Sequence, residues 1–113
     1  MFGFQKLDVY QCATSFLALS APLAEQAPRG YGSLADQLRR AALSIPLNIA
    51  EGSSGKFNKD ARRFYAIARG SALECAAILD AFESLAAAPA KELAKGRELL
   101  ERIVAMLTVL LRE

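Results

Sequence analysis

Ser44-Ile45-Pro46-Leu47-Asn48-Ile49-Ala50-Glu51-Gly52 sets a proline inside an otherwise helical pattern. Apolar residues keep helical spacing on either side of it, at Leu34, Leu38, Ala41, Ala42, Ile45 and Ile49. A second, polar stripe with the same spacing runs through Gln37, Ser44, Asn48 and Glu51. Pro46 has no amide hydrogen for the carbonyl of Ala42, and its ring crowds that carbonyl. A helix through this stretch is expected to bend or loosen near residues 42–44, with Ser44, Pro46, Asn48 and Glu51 as the hinge. Two readings fit the polar stripe. In one, Asn48 and Glu51 satisfy backbone groups freed by the proline. In the other, the bend is a contact for a ligand or nucleic acid.

Working outward, the spacing predicts four helices. The first covers residues 7–26 and carries two apolar stripes, one through Leu7, Tyr10 and Leu17, the other through Val9, Ala13, Phe16, Leu19 and Leu23. Pro22 lies near its end, and residues 27–32 read as a loop by their proline and glycine content. The second helix begins at Ser33, where Ser33-Leu34-Ala35-Asp36 resembles a capping box, and ends near Gly52. A turn follows at residues 53–56. Asn58 is a good N-cap for the third helix, residues 58–85, with a core stripe through Ala61, Phe64, Tyr65, Ala68, Ala72, Cys75, Leu79, Phe82 and Ala86. Gly70, inside that helix, points to the close approach of another helix. After Pro89 a fourth helix spans residues 90–112, again with a wide apolar stripe. No stretch alternates with period two. The expected fold is all-α, an up-down-up-down four-helix bundle with a proline-kinked second helix, forming one domain over residues 1–113. Its expected core includes Phe64, Leu79, Phe82, Leu100, Ile103 and Leu107. The first and fourth helices are apolar on more than one side, which predicts a homo-oligomer.

The bulk composition agrees. A chain of 113 residues suffices for one domain, and 53% hydrophobic residues rich in alanine and leucine favour helix. Cys12 and Cys75 sit in apolar helical surroundings and read as buried, reduced thiols. No signal peptide is expected before residue 7, and the apolar run at residues 99–111 is broken by Glu101 and Arg102. A cytoplasmic protein with no membrane role is the expectation.

The chain has no histidine, the commonest general base and metal ligand. Two lone cysteines do not make a zinc site, and no phosphate-binding glycine loop or nucleophile elbow is present. The expectation is a protein without enzymatic activity, cofactor or metal. The charge distribution is more informative. The net charge is +2, yet residues 39–69 hold seven basic side chains and two acidic ones, while the rest of the chain holds seven basic and ten acidic. The seven are Arg39, Arg40, Lys56, Lys59, Arg62, Arg63 and Arg69. They could track phosphates, with Phe57 and Tyr65 able to stack bases. A solvated helix face is the other reading.

Residues 37–52, Gln37-Leu38-Arg39-Arg40-Ala41-Ala42-Leu43-Ser44-Ile45-Pro46-Leu47-Asn48-Ile49-Ala50-Glu51-Gly52, resemble the signature of a small bacterial family. Its members include proteins encoded in intervening sequences of 23S ribosomal RNA genes. Residues 63–74, Arg63-Phe64-Tyr65-Ala66-Ile67-Ala68-Arg69-Gly70-Ser71-Ala72-Leu73-Glu74, resemble its second signature. The resemblance covers residues 7–111. More distantly, the chain is similar to the accessory variability proteins of diversity-generating retroelements, four-helix bundles that form pentameric barrels, bind nucleic acid through basic surfaces and engage a reverse transcriptase. The resemblance implies a bundle, a cyclic homo-oligomer for which five subunits is the count to test, and RNA or DNA as partner. It carries over no catalytic residue. Two functions stand side by side: an oligomeric nucleic-acid-binding accessory protein, and a structural or protein-interaction module with a protein partner.

Overall fold

The structure is a computed structural model, and it describes residues 1–53 and 59–112, less the side chains of Lys59 and Asp60. A short 3-10 turn, Gly3–Lys6, leads into four helices: α1 (Asp8–Glu25), α2 (Gly32–Gly52), α3 (Lys59–Ser84) and α4 (Ala90–Arg112). No strand occurs among the described residues. The expected Asn58 cap and most of the 53–56 turn lie outside the described residues. The other helix limits fall within two residues of those read from the spacing, and those of α4 coincide.

Each helix packs against two others, α1 on α2 and α4, α3 on α2 and α4, with no comparable contact across either diagonal among the described residues. The directions follow from which residues meet. Ser71 bonds Ser44, and Tyr65 lies over Gly52, so α2 and α3 run antiparallel. Arg69 meets Thr108 and Arg97 meets Asp80 and Glu83, so α3 and α4 also run antiparallel. Gln26 donates from the end of α1 to Glu92 at the start of α4, 3.1 Å away, which closes the ring of helices. The result is an up-down-up-down bundle measuring 45 × 26 × 23 Å.

The apolar stripes face one another inside it. Phe16, Leu38, Ile45, Ile49, Leu79, Phe82, Leu100, Ile103 and Leu107 are fully buried and belong to one cluster. Phe64 differs from expectation. It is only half-buried, and the Arg63 guanidinium covers its ring at 5.1 Å from the centroid. Its place one turn into α3 sets it at the end of the bundle, where the facing helices have run out. Gly70 also differs: nothing lies within 4 Å of where a Cβ would stand. The close approaches occur at Gly96, where a Cβ would meet Leu79 at 3.0 Å, Leu19 at 3.4 Å and Phe16 at 3.5 Å, and at Gly52, beneath the Tyr65 ring. Ser33 does not cap α2; the helix starts a residue earlier with Tyr31 at its N-cap and no side-chain cap bond.

Ala86, read as the last core position of α3, is instead exposed and adopts φ +51°. The Ala87 amide reaches back to the Phe82 carbonyl at 2.9 Å and the Ala86 amide to that of Glu83 at 3.0 Å, the two bonds of a left-handed helix stop. Glycine normally fills this position because an L side chain there is strained. Ala86→Gly is expected to stabilise the fold by about 0.5–1 kcal/mol, seen as a higher urea midpoint with unchanged slope.

Candidate nucleic-acid interface

α2 runs through Pro46, which is buried, as one helix from Gly32 to Gly52. Asn48 Nδ2 donates to the Ser44 carbonyl at 2.8 Å and to Ser44 Oγ at 3.0 Å, and Ser71 Oγ of α3 donates to Ser44 Oγ at 2.8 Å. The carbonyl that Asn48 takes is therefore that of Ser44, one turn before it, and not the Ala42 carbonyl opposite Pro46. These three side chains form a polar tie across the α2–α3 seam, in which Asn48 Nδ2 and Ser71 Oγ both donate to Ser44. Glu51 stands apart, exposed at the end of α2.

The seven basic residues do not share one environment. Arg69 is half-buried, and its Nε donates to Thr108 Oγ1 of α4 at 2.9 Å. It thus ties α3 to α4. Arg39 is exposed and pairs with Asp36 at 3.3 Å within α2; a pair so open to solvent contributes little to stability. Arg40, Arg62 and Arg63 are exposed and have no carboxylate within 4.0 Å among the described residues. Lys56 and Phe57, and the side chain of Lys59, lie outside the described residues. Arg62 and Arg63 open α3, at the end of the bundle where α2 finishes. Antiparallel pairing through Ser44 and Ser71 places Arg40 level with Cys75, some thirteen residues or ~20 Å further along the axis. Of the seven, those exposed and without a carboxylate within 4.0 Å among the described residues therefore divide into a pair at one end and a single residue at mid-bundle.

The sequence reading missed an apolar surface. Leu43 and Leu47, one turn apart on α2, are 46% and 55% exposed, and Ile67 and Leu73 on α3 and Val109 on α4 are exposed as well. Leucines at i and i+4 on the otherwise polar face of α2 were the available signal. A shallow groove of about 450 Å³ runs between α3 and α4, floored by Ala76, Leu100 and Val104 with Leu73 on its edge. The two-sided apolar pattern of α1, by contrast, is covered within the bundle: none of its large apolar side chains is exposed.

The thiols carry no exposed chemistry. Cys12 and Cys75 are buried and free. Burial, helped by the nearby negative charge of Glu74, pushes the Cys75 thiol up to about 12, far from the thiolate a nucleophile needs. No three histidine, cysteine or acidic side chains among the described residues converge on a metal position. No described helix is long and apolar enough to cross a membrane.

Fold and surface together define a small four-helix bundle with a basic end and exposed apolar side chains on α2, α3 and α4. More particularly, the chain belongs to the family of 23S rRNA-intervening sequence proteins, whose model matches residues 5–109. No curated protein matches it.

Proposed function

We propose that the chain is a non-enzymatic, oligomeric accessory protein that binds RNA or DNA through its basic end. The observation that carries this reading is the pair Arg62 and Arg63 at the start of α3, exposed and with no carboxylate within 4.0 Å among the described residues, in the stretch where basic residues outnumber acidic ones seven to two. Family membership supports it, since the family is described by its occurrence in 23S rRNA intervening sequences. Two cations per subunit bind phosphates weakly. A cyclic oligomer repeats the pair around a ring and makes the attraction multivalent. Leu43, Leu47, Ile67 and Leu73 support such an assembly, because apolar side chains this exposed gain from being covered by a neighbouring subunit. Phosphate contacts read no bases, so binding is sequence-tolerant. A cytoplasmic setting goes with this reading, in keeping with two unpaired thiols.

The same exposed apolar side chains favour a second reading, an interaction module whose partner is a protein. Electrophoretic shift with a single-stranded RNA and a DNA duplex separates the two. Retention at ~50 mM salt that fades by ~200 mM is the expected result. No retention of either probe at the lower salt would leave the interaction module standing. Light scattering on the same sample should return a multiple of the 12.2 kDa chain mass, five being the count the family resemblance suggests. A monomer mass at micromolar concentration would refute the assembly.

A further inference from the structure

Two aromatic rings at the N-terminus, Phe2 and Phe4, lie at the basic end of the bundle and outside the core cluster. Phe2 and Phe4 are stacked, their centroids 5.8 Å apart and their planes within 9°. Tyr10, on the first turn of α1, meets Phe4 edge-on at 5.0 Å. Phe2 is 70% exposed, and Phe4 is half-buried. The turn that carries them is pinned. The Phe2 amide donates to Gln5 Oε1 at 2.7 Å, the Leu7 amide to the Phe4 carbonyl at 3.2 Å, and Gln11 Nε2 of α1 to the Gln5 carbonyl at 3.3 Å. The rings are thus held in place before any partner arrives, which lowers the ordering cost of binding.

Topology decides what lies around them. The turn packs on α1 and α2, and α1 begins at the end of the bundle where α2 finishes and α3 starts. Among the described residues, that end also presents the exposed cations Lys6, Arg62, Arg63 and Arg112, against the exposed carboxylates Asp8 and Glu51. An exposed ring at the same end of the bundle as cations that have no carboxylate within 4.0 Å among the described residues matches one chemistry well: a polyanion with free aromatic faces. Bases in a duplex are already stacked and paired, so their faces are closed to a protein ring. Unpaired bases can stack, whatever their identity.

We infer that this end of the bundle prefers single-stranded nucleic acid, with Phe2 and Phe4 as a stacking platform for unpaired bases and Lys6, Arg62 and Arg63 neutralising phosphates of the same strand. The inference rests on the nucleic-acid reading above and goes beyond it by naming the strand class and the residues that select it. Both rings precede residues 5–109, the stretch that the family model matches.

The test uses the full chain, a mixed-sequence single-stranded RNA and the same sequence as a duplex. Wild type is expected to bind the single strand roughly tenfold more tightly, the amount one or two stacked bases supply. The double variant Phe2→Ala/Phe4→Ala should lose about that factor on the single strand, keep its duplex affinity and keep its salt slope. Helicity by circular dichroism checks that the variant is folded. Phe2→Trp supplies an independent readout: its emission should be quenched on titration with the single strand and unchanged with the duplex. Equal wild-type affinity for the two probes, or a double variant that holds the single strand as wild type does, would overturn the inference while leaving phosphate binding intact. A smaller assembly mass in the double variant with unchanged affinity would assign the rings to a subunit contact and overturn it too. Failure of wild type to bind either probe would remove the underlying nucleic-acid reading itself.

Discussion

Phe82→Ala is expected to destabilise the bundle by about 3–5 kcal/mol, the range for deleting a fully buried aromatic ring. The ring has no solvent exposure and lies in the last turns of α3, within the cluster formed by all four helices. Its loss removes apolar burial and leaves a cavity that neighbours such as Leu79 fill only in part, since they are themselves held by packing. For a chain of this size the melting temperature should fall by roughly 12–20 °C. Phe64→Ala is the internal comparison. Phe64 has the same chemistry on the same helix face but is half-buried under Arg63, so its removal should cost less than half as much. Urea unfolding of both variants measures the difference. Equal losses would place both rings in the same environment and contradict the packing described here.

Arg62→Glu/Arg63→Glu should weaken binding of RNA and DNA by at least ~100-fold near 50 mM salt, because it removes two phosphate contacts per engaged subunit and replaces them with repulsion. The slope of log affinity against log salt should fall by about 2 for each such subunit, one unit per lost contact. Both side chains are exposed, so helicity and assembly mass should be unchanged. Arg69→Gln makes a useful contrast. Arg69 is tied to Thr108, so this change should act chiefly on the α3–α4 seam and little on binding. If the charge-reversed pair bound as wild type does, the basic end would be a solvated surface only.

The comparison of Phe64 with Phe82, and of Arg69 with Arg62, shows where sequence reading stops. Helical spacing put Phe64 and Phe82 on one stripe and Arg62 and Arg69, seven residues apart, on one face. Both assignments of face were sound. Periodicity, however, is a property of one helix, and it holds no record of how far a neighbouring helix extends or which residue stands opposite. Phe64 lies where the bundle ends; Arg69 lies opposite a threonine of α4. The glycines teach the same lesson. Gly70 is open to solvent, whereas Gly52 and Gly96 sit under Tyr65 and against Leu79, and no local pattern distinguishes them.

The sequence by itself determined the number of helices, their limits to within two residues where described, the family, and most of the buried stripe, including Leu79, Phe82, Leu100, Ile103 and Leu107. The family rests on the two signatures at residues 37–52 and 63–74; the rest follows from short-range physics: apolar spacing at 3.6 residues, prolines and glycines as punctuation, and helix-favouring composition. Only the tertiary structure decided that Ser44, Asn48 and Ser71 satisfy one another, that Arg69 is tied to α4, that Leu43 and Leu47 face outward, and that the Phe2–Phe4 pair stands at the same end as Arg62 and Arg63. Each of those facts depends on residues far apart in the chain meeting across helices. Burial and hydrogen bonding set such meetings once the helices have packed, and a one-dimensional pattern does not encode them.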